Sequence, residues 1–256
     1  MKTLACIKRV PDTGTKINLT DDQQRIDASN IGYTLAPYEE CAIEEAVQKA
    51  ESTGGSATVL SVGVPEAEEQ LRKGIAMNAD QAELVDKGEE EWRSRSTASA
   101  IADAALDSSG NIKYDMLFFG NESADLGDYQ VGIRVANQLD IPFVAGATSV
   151  DLEGETAIIK RDITGGNEVY EVSLPVAVSV KEGVNNPRYP SMRDRMQARN
   201  HQIDVSDATQ SDGHGSLTKL KLESTTGDDS SAEVLGEGVD AVPEIIDVLE
   251  NEIEVI

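Results

Sequence analysis

Short apolar runs alternate with stretches of helical period along the first half of the chain. Residues 4–10, 57–62, 82–85 and 115–119 read as strands, and residues 38–52, 65–78, 95–106 and 128–139 read as helices between and after them. That rhythm predicts βαβ units, and hence an α/β fold with a Rossmann-like parallel sheet flanked by helices. In such sheets ligands sit beyond the carboxyl ends of the strands. From Gly146 onward the pattern changes. Residues 156–161 and 168–172 alternate with period two around a Gly165-Gly166 turn, and 174–180 follows them, which predicts an antiparallel extension.

Beyond residue 204 large apolar side chains thin out, while Ser, Thr, Asp and the glycines at 213, 215, 227, 236 and 238 accumulate. Residues 205–241 therefore read as a flexible acidic linker. Helical period returns over 242–253 behind Pro243, a residue suited to a first helical turn. The segment 242–256 is either a short helix that docks on a partner subunit or a weakly ordered acidic terminus, because so short a helix is marginal alone. A chain of 256 residues accommodates one large domain, here 1–204, together with such a tail.

Charge narrows the function. A formal net charge of −25 argues against binding nucleic acid, which depends on Lys and Arg neutralising phosphates. The acidic residues are scattered rather than gathered in one patch, which points to general solvation at high salt and a halophilic source. Charges interrupt every apolar run before it could span a bilayer, and the first ten residues read as a buried strand rather than a secretion signal, so a soluble cytoplasmic protein is expected. Cys6 and Cys41 have neither metal-ligand nor disulfide-framework spacing and read as small buried hydrophobes. His201 and His214 have no nucleophile near them in sequence, so no catalytic residue and no metal site is expected. Neither a Walker A loop nor a G-x-G-x-x-G fingerprint follows any predicted strand.

Three segments carry more information. Residues 119–132 form a glycine-punctuated loop between an apolar strand and an amphipathic helix; free backbone amides there suit a nucleotide phosphate, with Gly120 and Gly127 allowing close approach. The competing reading is an ordinary helix start with Asp125 or Asp128 as its N-cap. Residues 36–47 place Pro37 and several carboxylates at another helix start. Residues 185–196 gather prolines, Tyr189, Met192 and, counting Arg199, four arginines on an otherwise acidic chain. They read as a rigid docking loop, or as a helix start with charge-balancing arginines.

Together these segments resemble the beta subunit of electron transfer flavoproteins, the family that includes FixA, over residues 1–204. The most specific part runs Arg161-Asp162-Ile163-Thr164-Gly165-Gly166, Leu174-Pro175, Val180 and Asn185-Asn186-Pro187-Arg188-Tyr189-Pro190. Val10-Pro11-Asp12, Ala42-Ile43-Glu44-Glu45-Ala46-Val47 and residues 71–80 support it. The resemblance implies an adenine nucleotide alpha hydrolase-like sheet and an electron-carrying subunit without substrate chemistry of its own. It implies a heterodimer with a larger alpha subunit that holds the redox-active FAD, and AMP or a second FAD in the beta subunit. Acyl-CoA or other flavin dehydrogenases would supply electrons, and a quinone reductase would accept them.

Carried over by position, the nucleotide contacts fall at Cys6, at Ala36, Pro37, Tyr38 and Glu39, at Val62, and at Gly120, Asn121, Glu122, Ser123, Ala124, Asp125, Gly127, Asp128, Tyr129, Gln130 and Val131. The partner-docking residues are Pro187, Arg188, Tyr189, Met192, Arg193 and Met196. The chain departs from the family at Ala36, where many members have Asn, and at Asp128, where a hydroxyl is common. A stand-alone nucleotide sensor of the universal-stress type is the alternative reading, which the Asn-Pro-Arg-Tyr-Pro segment opposes. An ATP pyrophosphatase would need a Ser-Gly-Gly loop where Lys8-Arg9-Val10-Pro11-Asp12 stands.

Overall fold

The computed structural model describes residues 1–12, 14, 16–89, 91–208, 219–224 and 234–255. Its strands are β1 (Lys2–Ile7), β2 (Val10–Pro11), β3 (Tyr33–Thr34), β4 (Ser56–Gly63), β5 (Gln81–Asp86), β6 (Met116–Gly120), β7 (Phe143–Glu153), β8 (Thr156–Ile163), β9 (Gly166–Ser173), β10 (Val176–Val180) and β11 (Asp204–Asp207). Its helices are α1 (Pro37–Thr53), α2 (Glu68–Ala76), α3 (Ser94–Ala104), α4 (Val131–Leu139), α5 (Met192–Ala198) and α6 (Val242–Asp247). Nine strands form one sheet in the order β11-β5-β4-β1-β6-β10-β7-β8-β9; β2 and β3 pair separately. From β11 to β7 every pairing is parallel, and β8 and β9 continue the sheet antiparallel.

A parallel strand with helices on both faces has no side that can stay polar. β1 obeys this: Leu4, Ala5, Cys6 and Ile7 are all buried. Ala5 and Ile7 join a core formed with Cys41, Ile43 and Val47 of α1, Leu71 of α2, and Met116 and Phe118 of β6. Leu4 and Cys6 point the other way, into a core with Ala98 and Ile101 of α3, Leu117 and Phe119 of β6, and Val135 and Leu139 of α4. The period of two along each strand therefore sorts side chains between two helix layers.

Local signals set the helix ends. Pro37 stands in the first turn of α1 with Glu39 and Glu40, where a proline loses no hydrogen bond and carboxylates meet the positive end of the dipole. Gly54 ends α1 in the left-handed region at φ 64°. Ser191 caps α5 in a reciprocal capping box with Asp194. Arg72 of α2 donates to the carbonyls of Ala198, Arg199 and His201 at 2.9–3.0 Å, satisfying the open end of α5.

Three expectations are corrected. Residues 174–180 do not belong to the antiparallel extension: β10 returns to the parallel core, inserted between β6 and β7 with all five residues buried. The extension is built instead by β8, β9 and the unforeseen β7, whose start pairs with β10 and whose remainder pairs with β8. Helix α4 begins at Val131 rather than 128, and its N-cap residue is Gln130, so neither Asp125 nor Asp128 caps it. In the stretch read as linker, β11 pairs with β5, and the amide of Leu222 donates to the carbonyl of Gln23 at 2.8 Å. His214 and most of 205–241 lie outside the described residues. Residues 242–247 are helical, as the period predicts, and none of them is buried.

Phe118 is the largest fully buried side chain. Phe118→Ala is expected to cost about 3–5 kcal/mol of stability, read from the urea unfolding midpoint, while the same change at exposed Tyr189 stays within about 0.5 kcal/mol.

Candidate functional site

The order of the sheet creates a crevice. From β1 the chain crosses through α1 to β4 and on to β5 along one side; it then returns to place β6 on the other side of β1, and α4 leaves on the opposite face from α1. The connections therefore diverge at the carboxyl ends of β1 and β6, the switch point where open α/β sheets take ligands.

A cleft with a cavity volume of about 200 Å³ opens there. Its walls come from Cys6, Ile7 and Lys8 at the end of β1, Val62 at the end of β4, and Phe119 at the end of β6. Trp92, Ser94, Thr97 and Ile101 come from α3 and its approach; Phe143, Ala145 and Ser179 come from β7 and β10. The loop 121–130 covers one side. The backbone of Gly120 lies close to α1 at the base: a Cβ there would stand 3.1 Å from Tyr38 Cβ and 3.4 Å from Glu39 Cγ, so a side chain would make these neighbours give by a few tenths of an ångström.

Of the residues expected to contact a nucleotide, Cys6, Glu39, Val62, Gly120, Asn121, Glu122, Ser123, Asp128, Tyr129, Gln130 and Val131 line this cleft. Ala36, Pro37, Tyr38, Ala124, Asp125 and Gly127 do not. The carbonyl of Ala36 accepts from the amides of Glu39 and Glu40, and Pro37 is exposed in the first turn of α1. Tyr38 packs beside Gly120, while the amide of Gly127 donates to the carbonyl of Ser123 at 2.9 Å. Asp125 forms an ion pair of 2.6 Å with Lys8, tying the loop to β1.

Sequence reasoning passed over Lys8, Lys87, Trp92, Ser94, Ile101, Phe143 and Ser179. A usable signal existed for some of them: Lys8 and Ser179 stand at the ends of predicted apolar strands, and Trp92 is the chain's single tryptophan, just ahead of a predicted helix.

Polar groups in the cleft are interlocked. Ser94 Oγ donates to the carboxylate of Asp128, which joins α3 to the loop. Gly146 N donates to Ser179 Oγ at 2.9 Å, and Ser179 Oγ lies 3.4 Å from Asn121 Oδ1. Tyr129 adopts φ 55° and Gly127 φ 59°, so the loop turns twice through the left-handed region. Burial pushes the Cys6 thiol well above its usual range, leaving it a neutral small hydrophobe rather than a nucleophile. Both cysteines are free and buried. Glu39 is 4 % exposed, and burial pushes its carboxyl up to about 8, against the backbone amides of Glu39 and Ala36 and the charge of Lys8. Among the described residues no group of three His, Cys, Asp or Glu is placed to hold a metal ion, and no helix is long and apolar enough to cross a membrane.

The expected docking segment lies elsewhere, beside α2. Tyr189, Met192 and Met196 are 86 %, 75 % and 62 % exposed, and Arg193 is exposed with them. The guanidinium of Arg195 sits 4.8 Å from the Tyr189 ring centroid. Pro187 is half-buried along a groove shared with α2. Arg188 is committed inside the chain: it bonds Glu44 at 2.9 and 3.1 Å and Glu51 at 2.7 and 3.0 Å, clamping the loop to α1. Burial alone would raise the Glu44 carboxyl, but Arg188 outweighs it and holds the group below its usual range.

The electron transfer flavoprotein domain family matches residues 25–211. The electron transfer flavoprotein subunit beta of Bacillus subtilis is 30% identical over 261 residues, covering 100% of each chain. The subunit of the same name from Thermoanaerobacterium thermosaccharolyticum is 32% identical, with 98% of each chain covered. Protein FixA of Sinorhizobium fredii is 31% identical over 87% of this chain and 79% of its own.

Two variants probe these contacts. Arg188→Met leaves the Glu44 carboxylate buried without its guanidinium and is expected to cost about 2–3 kcal/mol in urea unfolding, part of which Glu44→Gln in the same chain restores. For Glu39 the folded chain holds a proton that the unfolded chain releases, so its contribution is full below about pH 4.5 and is lost as pH rises toward 8. Glu39→Gln should therefore match the parent near pH 4.5 and exceed it by on the order of a few kcal/mol at pH 8.5, read by thermal unfolding at fixed salt.

Proposed function

Since this chain belongs to the electron transfer flavoprotein family and serves there as a beta-type electron-transfer subunit, we propose that its switch-point cleft holds an adenine nucleotide, AMP or FAD. The observation that carries this reading is the convergence of residues 6, 39, 62, 120–123, 126 and 128–131, drawn from segments far apart in sequence, on one cleft. Its chemistry fits such a group. Cys6, Val62, Ile101, Phe119 and Trp92 offer apolar contact to a base, while Asn121, Ser123, Ser179 and the loop backbone offer polar contact. Lys8 and Lys87 line the cleft, and its acidic loop residues are partly engaged, Asp125 by Lys8 and Asp128 by Ser94.

A flavin, when bound, supplies the ability to take up and release electrons; the residues of this chain bind, orient and exclude water. We read the redox-active FAD as held mainly by a larger alpha-type subunit in a cytoplasmic heterodimer. Acyl-CoA or other flavin dehydrogenases would dock at Pro187, Tyr189, Met192, Arg193 and Met196, and a quinone reductase would receive the electrons. The exposed aromatic and methionine side chains of that segment support the docking reading, since such residues dominate interface centres. On this reading the chain carries electrons without a substrate of its own.

Co-expression with an alpha-type partner at high salt, followed by quantification of FAD and AMP released on denaturation, tests the assignment. One FAD and one AMP per heterodimer is expected for a plain electron carrier, and two FAD for a subunit carrying its own flavin. Absence of both a complex and a nucleotide would reject it.

A further inference from the structure

Resting on the reading of the cleft as a nucleotide site, we propose that Glu39 links nucleotide binding to a proton, the ligand being held best when this carboxyl is neutral. Glu39 stands in the first turn of α1, faces the cleft, and is 4 % exposed. Its Oε2 is buried with no hydrogen-bond partner. Buried side-chain oxygens are normally satisfied, and an ionised carboxylate with an idle oxygen is more costly still. Protonation relieves that cost and turns the group into a donor as well as an acceptor, able to meet a ring nitrogen or a sugar hydroxyl.

The surroundings support the neutral form. Burial is the largest influence on Glu39 and lifts it to about 8. Lys8, at the end of β1, opposes this, but Lys8 is itself paired with Asp125, whose charge acts in the opposite sense. The remaining ionisable groups lining the cleft with it are Cys6, Lys87, Glu122, Asp128 and Tyr129. The Cys6 thiol is raised by burial, and Tyr129 is raised by its hydrogen bond to Glu122, so neither ionises ahead of Glu39. A bound nucleotide brings further negative charge and removes water, and both effects strengthen the hold on the proton. Above pH 8 the free site is ionised, so binding there takes up one proton from solvent: carboxylate, proton and nucleotide become the carboxylic acid complex. Affinity is therefore full below pH 8 and falls by up to about tenfold per pH unit above it.

The test is calorimetric titration of the full-length chain with AMP, and separately with FAD, from pH 7.0 to 9.5 at constant salt. A phosphate monoester has its second pKa near 6, so AMP keeps its charge over this range. The expected result is a Kd nearly constant up to pH 7.5 and about 30-fold weaker at pH 9.5. At pH 8.5 proton uptake should appear as a binding enthalpy that depends on the ionisation heat of the buffer. Glu39→Gln should bind with a flat profile and no buffer dependence. A flat profile with no proton uptake in the parent chain, or an unchanged slope in Glu39→Gln, overturns the proposal. The parent measurement decides the matter even if the variant folds poorly. Should the parent bind neither AMP nor FAD at any pH, the nucleotide reading fails first and takes the proposal with it.

Discussion

β1 lies between β4 and β6 with helices on both faces, and this confinement governs the rest of the molecule. Because no side chain of its second half can reach water, Leu4 to Ile7 divide between two cores, and the helices that complete those cores must lie on opposite faces. The connections then part at its carboxyl end. The crevice is thus a consequence of covering a parallel sheet on both sides, and the residues just past the strand ends, Lys8 and Asn121 among them, inherit its rim.

The parallel core was largely legible because its strands are short, nearly continuous apolar runs and its first helix carries plain start and stop residues, Pro37 and Gly54. Residues 176–180 were misassigned because chain order sets them directly after a hairpin, and nothing local distinguishes a third hairpin strand from a return to the core. Their continuous burial, rather than alternation, is the mark of the difference. β7 was missed because Gly146, at φ 69°, interrupts its pattern where the pairing with β10 shifts register.

About half of the cleft's lining was legible in the sequence. The loop 121–130 and Glu39 follow from glycine spacing, helix-start chemistry and family resemblance, whereas Trp92, Ser94 and Phe143 reach the cleft only through tertiary packing that no local pattern encodes. At Arg188 the second reading of the basic segment, charge balance, describes the contact that forms: the buried carboxylate of Glu44 claims its guanidinium. A charge in sequence has no partner until the fold supplies one, and a buried partner outranks an exposed one because an uncompensated charge inside costs far more than one outside.

The insertion of β10 between β6 and β7 has a bearing on biosynthesis. A ribosome delivers β1, β4, β5 and β6 first, in an order that lets them pair one after another, but the strand that joins β6 to the hairpin region emerges some sixty residues after β6 begins. Until then β6 presents an apolar open edge, the kind of surface on which unfinished chains associate. The nascent chain thus passes through an interval in which its central sheet is interrupted between β6 and β7, an interval that closes only when residue 180 is available to pair.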